Sequence, residues 1–245
     1  MTWSTGRILE RRQWAPGLVT IRLDADVDHF EPGQFLNVGL RIGGELVFRA
    51  YSVASPPGQP IEFYLAEVTG GELTPVLFSL REGDEVEVER HPQGFFTLKY
   101  VPDASELWLV ATGTGLGPFL SILRSEEISR RFPRVGVVHG VRECAHLSYR
   151  DELAELSAAH AGRLSYVPVV SREPAAPGVV HGRITTTLEE GSLECYVGHS
   201  LAESSHLMLC GNPAMVEELT KLLEARGLRK HRQRKPGHIT IEKYW

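Results

Sequence analysis

The chain has 245 residues, 42% hydrophobic and 23% charged, which is enough apolar surface for a buried core and enough charge for an aqueous exterior. Its formal net charge of −5 argues against nucleic acid as the main partner, since phosphate backbones select basic surfaces. The N-terminus has no signal-peptide-like apolar run and no stretch is long enough to span a bilayer, so a cytoplasmic protein away from the membrane is expected.

Up to about Leu98 the pattern is one of short strands between turn residues. Leu36, Val38 and Leu40 alternate after Pro32-Gly33, and Gly43-Gly44 reads as a hairpin turn into Leu46–Val53. Ile61–Val68 is strand-like, and Val86 and Val88 alternate beyond Gly83-Asp84. Thr74–Leu80 reads as a single short helix, with Thr74 as N-cap and Pro75 in the first turn. Such spacing predicts a sandwich or barrel.

Beyond Val101–Ser105 strands and helices alternate, which predicts a mostly parallel α/β sheet. The expected strands are Leu107–Thr112, Val135–His139, Leu164–Val170 and His206–Cys210, the last clear one. The expected helices are Pro118–Ser129, Arg150–His160 and Pro213–Arg226. The predicted architecture is therefore a two-domain β plus α/β chain, residues 1–100 and 101–245.

Three cysteines, Cys144, Cys195 and Cys210, form no C-x-x-C pair. A cluster of iron and sulfur typically takes four cysteines, so any electrons must be carried by an organic cofactor, and no metal is expected.

Four motifs stand out. In Arg49-Ala50-Tyr51-Ser52 the arginine fork suits a pyrophosphate, and a tyrosine two residues on shares its strand face and offers a ring for stacking. A solvated arginine on an edge strand is the plainer alternative. Gly70-Gly71-Glu72-Leu73-Thr74-Pro75 allows close backbone approach before a helix N-terminus, or is an ordinary capped loop. Thr112-Gly113-Thr114-Gly115-Leu116-Gly117-Pro118 joins a strand to a helix, as a nucleotide loop does, but Pro118 replaces the last glycine of G-x-G-x-x-G. Cys210-Gly211-Asn212-Pro213-Ala214-Met215 puts a thiol where ligands of open α/β sheets bind, unless it is a buried structural cysteine. Arg142, Arg172 and Arg183 each follow a strand, as solvated residues or as a phosphate clamp. The run Arg229–Lys235 is either a solvated loop or a docking patch for an acidic protein.

R-A-Y-S, G-E-L-T-P, T-G-T-G-x-G-P, C-G-N-P-x-M and the ending E-K-Y-W, in this order over nearly the whole chain, resemble the bacterial ferredoxin (flavodoxin)–NADP⁺ reductases. The Tyr-Trp ending resembles the enterobacterial-type branch. The resemblance implies an antiparallel β-barrel FAD domain followed by a parallel-sheet NADP(H)-binding domain, whose C-terminal tail returns to the flavin. It implies a monomer that exchanges electrons with ferredoxin or flavodoxin, FAD converting a two-electron donor into a one-electron one.

By the same resemblance, Arg49, Ala50, Tyr51 and Ser52 hold the FAD diphosphate, flavin face and flavin edge, with Tyr64, Leu65, Gly71, Leu73, Thr74 and Thr112 adding contacts. Gly113, Thr114, Gly211 and Met215 line the nicotinamide and pyrophosphate path, and Arg142, Ser171, Arg172 and Arg183 bind the adenosine end of NADP(H) with its 2′-phosphate. Ser52, Cys210 and Tyr244 are the implied catalytic residues: Cys210 lies near the hydride-carrying carbon, and Tyr244 covers the flavin while Trp245 packs on its adenine. Two rival readings are an NADH- or NADPH-dependent flavin reductase component of an oxygenase, and a non-catalytic redox-sensing flavoprotein.

Overall fold

The computed structural model describes residues 2–160, 162–174 and 176–244. They form two compact units, Met1–Lys99 with Gly117–Glu126, and Tyr100–Leu116 with Glu127–Trp245. In the described residues no helix is long and apolar enough to cross a membrane.

The first unit is an antiparallel sheet of β1 (Trp3–Ala15), β2 (Leu18–Asp24), β3 (Phe35–Ile42), β4 (Glu45–Ser52), β5 (Ile61–Ala66) and β6 (Glu85–Glu89), in the order β4-β3-β6-β1-β2-β5. Its two edges meet where Val53 bridges Phe63 and the Ala54 N–H donates to Glu62 C=O at 2.8 Å, closing a barrel. Alternate residues Leu36 and Val38 of β3 and Phe63 and Leu65 of β5 point inward, with Ile8, Leu23, Leu77 and Val88, to make the core. Gly43 and Gly44 have φ of 60° and 91°, the paired left-handed conformation of a tight hairpin turn. The long β1 escapes sequence reading because its outer face is charged and only Gly6, Ile8 and Ala15 are buried.

Helix α1 is short, Thr74–Ser79, with Pro75 in its first turn. Its N-cap is Leu73 rather than Thr74. The Thr74 hydroxyl instead accepts the Val68 N–H at 2.9 Å, stapling the loop before the helix. The expected single helix over Pro118–Ser129 is two, α2 (Gly117–Leu123) and α3 (Glu126–Arg131). Ser125 ends the first by bonding back to Ile122 C=O through both its N–H, at 3.1 Å, and its hydroxyl, at 2.7 Å. Helix α2 packs with the barrel: the Ser121 hydroxyl donates to Ser55 C=O at 2.7 Å, and Arg124 bonds Ala54 C=O and the Glu62 carboxylate, both at 2.9 Å.

The second unit holds β7 (Glu106–Thr112), β8 (Arg134–Val141), β9 (Leu164–Val170), β10 (Val180–His181), β11 (Ser205–Gly211) and β12 (Ile239–Lys243), with helices α4 (Arg150–Ala159), α5 (Ile184–Glu189), α6 (Ser192–Val197) and α7 (Pro213–Ala225). All neighbours are parallel, in the order β10-β9-β8-β7-β11-β12. His206–Cys210 is therefore not the last strand. β12 lies at the sheet edge, so only Ile239 of its five residues is fully buried, and its alternation is too short to read. The chain order along the sheet reverses between β7 and β11, and such a switch point is where open α/β sheets bind ligands, at the carboxyl ends of the strands.

Candidate functional site

In the first unit Arg49 and Tyr51 lie two residues apart on β4, with Arg49 and Ala50 exposed, Tyr51 half-buried and Ser52 buried. The Arg49 Nη1 donates to Phe48 C=O at 2.6 Å, and Tyr51 meets Phe63 edge-on at 6.3 Å. Burial pushes the Tyr51 phenol up to about 12, with Arg49 pulling the other way, so the ring stays neutral at any working pH. Leu65 and Leu73 are core residues, and Tyr64 and Thr74 are also buried. Leu65 and Leu73 can therefore touch a cofactor only through backbone. Gly71 lies beside Thr74, and a methyl there would sit 3.0 Å from Val68 C=O. A six-residue helix has a weak macrodipole, so a diphosphate bound on this unit would need a side-chain donor, and the exposed Arg49 fork is one that could serve. An exposed arginine fork beside a neutral, half-buried ring on one strand face fits a flavin dinucleotide.

In the second unit, glycine lets the two strand ends at the switch point touch. A side chain on Gly115 would fall 2.7 Å from Cys210 C=O, and one on Gly211 would collide with Thr112. Gly211 has φ of 126° and Gly113 of 53°, which only glycine adopts readily. The Thr112 hydroxyl accepts the Asn212 N–H at 2.8 Å, and the Asn212 side chain caps α7 by accepting the Ala214 and Met215 N–H groups. Thr114 is buried, and Thr112, Gly113 and Met215 are half-buried. His139, fully buried, bonds Gly113 C=O at 3.2 Å through Nε2, which must carry the proton.

Cys210 is fully buried. Burial and the facing Glu242 push its thiol well above the usual range, while a hydrogen bond with Tyr244 pulls it back, so it stays protonated and is no nucleophile. Glu242 is its partner across the β11–β12 ladder, and Tyr244 donates its N–H to Gly211 C=O at 3.1 Å. The C-terminal strand thus brings Tyr244 to the switch point, whereas Trp245 lies outside the described residues. Glu242 was visible in the sequence only as part of the E-K-Y-W ending. Burial raises its carboxyl to about 7, and its Oε2 has no hydrogen-bond partner among the described residues.

These shifts set an acid response. Burial lowers His139 to about 4 and His206 to about 3, both from 6.5, so the unfolded chain binds more protons in between and stability is lost as pH falls below about 6.5. Glu242, raised from 4.5 to about 7, acts oppositely: the stability it contributes is present below 4.5 and is lost as pH rises through 7. Each titrating group supplies a slope of about 1.4 kcal/mol per pH unit. Two histidines against one carboxyl leave one such slope between pH 4.5 and 6.5. Glu242→Gln should roughly double it. Denaturant melts of parent and variant at pH 5 and pH 6 measure this, and equal slopes would refute the Glu242 assignment.

Arg142, Arg172 and Arg183 follow β8, β9 and β10, three adjacent parallel strands, so all lie at one edge of the carboxyl end of the sheet. All three are exposed, and no ion pair engages them among the described residues. Ser171, beside Arg172, donates its hydroxyl to Val141 C=O at 3.3 Å. Arg183 is the N-cap residue of α5. The run Arg229–Lys235 lies elsewhere. Lys230 pairs with Ile239, at the start of β12, and Arg232 with Lys235, so the run sits at the opposite end of the sheet from Cys210 and Gly211.

The description Oxidoreductase FAD-binding domain matches residues 17–98, and Oxidoreductase NAD-binding domain matches residues 109–221. The chain is 45% identical over 246 residues to a flavodoxin/ferredoxin–NADP reductase of Escherichia coli (strain K12), covering 99% of each, and equally to one of Shigella flexneri. A crystal structure of a ferredoxin NADP⁺ reductase from Neisseria gonorrhoeae with bound FAD and NADP is 32% identical, with a TM-score of 0.94 over 99% of both chains. The chain belongs to the flavodoxin/ferredoxin–NADP reductase family.

Proposed function

We propose that this chain, a cytoplasmic monomer, moves electrons between NADP(H) and ferredoxin or flavodoxin through bound FAD. The observation that carries the reading is the switch point, where the glycine loop, Cys210 and Tyr244 meet, with three arginines at the same end of the sheet. FAD, when bound, would supply the conversion between the two-electron chemistry of NADPH and the one-electron chemistry of the carrier. Arg49 holds its diphosphate, Tyr51 offers a neutral ring to the flavin, and the Ser52 hydroxyl meets the flavin edge. The second unit orients the coenzyme. Thr112, Gly113 and Thr114 present backbone to it, Arg142, Ser171, Arg172 and Arg183 bind its 2′-phosphate end, and the buried, protonated Cys210 cannot attack it. Tyr244, held at the switch point by its bond to Gly211, would be the ring that shields bound FAD. Glu242, titrating near neutrality, holds or releases a proton at its carboxyl.

NADPH-dependent reduction of each purified carrier, followed optically, tests the reading, and the absence of reduction of both would sink it. The same assay examines the basic run. Neutralising Arg229, Lys230, Arg232 and Arg234 should slow carrier reduction at low salt and leave a small neutral acceptor unaffected. Variants that keep the parent's salt-dependent carrier rate would remove the run from the interface.

A further inference from the structure

The loops after β8 and β9 carry Arg142 and Arg172, and three hydrogen bonds, besides that of the Ser171 hydroxyl, tie them together. Ser171 N–H donates to Val141 C=O at 3.1 Å and Arg172 N–H to Arg142 C=O at 2.9 Å, extending the parallel pairing past both strands. The third bond is made by a side chain: the Glu173 carboxylate accepts the Cys144 N–H at 2.7 Å. Cys144 opens a 3₁₀ turn, Cys144–His146, whose preceding residue, Glu143, supplies no side-chain cap. Glu173 therefore satisfies, from the neighbouring loop, an N–H that the turn leaves open. The Cys144 thiol shares the contact, which raises the thiol and lowers the carboxyl, and His146 adds an attraction. Below this joint Cys144 and Val141 pack on Leu147, Val170 and Val179, so the turn rests on an apolar floor.

Charge makes the arrangement matter. Glu173 follows Arg172 directly, and a carboxylate free to turn could pair with a guanidinium and cancel the charge meant for a phosphate. Bonded to Cys144, it is engaged elsewhere. We propose that Glu173 is a positioning residue for the 2′-phosphate clamp, fixing the Cys144–His146 turn against the loop of Arg172 so that Arg142 and Arg172 address one phosphate. The proposal rests on the NADP(H) reading of those arginines.

The test is calorimetric binding of adenosine 2′,5′-bisphosphate and of 5′-AMP to the flavin-loaded enzyme, for the parent, Glu173→Ala, Glu173→Gln and Arg172→Ala. Glu173→Ala should bind the bisphosphate about tenfold more weakly, as expected for losing a bond to a charged group, and 5′-AMP within about twofold. Its KM for NADPH should rise with kcat unchanged. Glu173→Gln, whose amide oxygen can accept the same N–H, should stay within about threefold of the parent for the bisphosphate. If Arg172→Ala loses bisphosphate affinity while Glu173→Ala keeps it, Glu173 has no such role and the clamp stands. Equal losses for both ligands in Glu173→Ala would mean general loosening of the loop, and would also overturn the proposal. If Arg172→Ala binds the bisphosphate like the parent, the clamp itself is refuted and the proposal with it.

Discussion

Replacing both Arg172 and Arg183 by alanine is expected to raise the KM for NADPH about a hundredfold or more, while NADH stays within about twofold. The expectation follows from position and chemistry. The two residues end neighbouring strands, β9 and β10, and point exposed guanidinium groups from the carboxyl edge of the sheet. Each charged hydrogen bond to a phosphate is worth roughly 1.5–3 kcal/mol, so two such bonds account for the discrimination. NADH lacks the phosphate and has nothing to lose. Because both residues are exposed and lie outside the core, their removal should change stability by less than about 0.5 kcal/mol each. Steady-state kinetics with both coenzymes measures the effect. A double variant that prefers NADPH as strongly as the parent would show that the phosphate is read elsewhere.

Arg49→Ala should weaken FAD binding by tenfold to roughly a hundredfold, again the worth of a charge-assisted bond. Tyr51→Ala should weaken it comparably, since losing the ring removes buried area at about 25 cal/mol per Å² besides the roughly 0.5–1.5 kcal/mol of aromatic pairing. Arg49 is exposed on β4 and lies outside the core, so the apoprotein should keep its fold. Titrating FAD into each apoprotein and following flavin fluorescence gives the constants. An Arg49 variant that retains FAD as tightly as the parent would move the diphosphate off β4.

How much of this was legible depended on how local each signal was. The hairpin at Gly43-Gly44 and the glycine loop at Thr112–Pro118 are written in adjacent residues, and both lie where expected, on β3–β4 and at the end of β7. Thr74 shows the limit of local reading. A threonine before proline looks like an N-cap, but its hydroxyl bonds Val68, a partner six residues away that the capping pattern does not include. The division of Pro118–Ser129 depended on Ser125 and on Arg124, whose anchor Glu62 lies in another part of the sequence. β12 was unreadable because an edge strand needs few apolar residues, and with it went the placement of Glu242 against Cys210 and of Arg229–Lys235 at the far end of the sheet. The motifs themselves were legible, but which of them face one another is decided by strand order, which no single segment encodes.

The most direct measurement is anaerobic rapid mixing of the purified yellow protein with NADPH, followed by mixing with oxidised ferredoxin or flavodoxin. The account predicts that NADPH bleaches the flavin far faster than NADH at equal concentration, and that at least one carrier then restores the colour while becoming reduced itself. A flavin that NADPH does not bleach, or that bleaches but yields electrons to neither carrier, would contradict it.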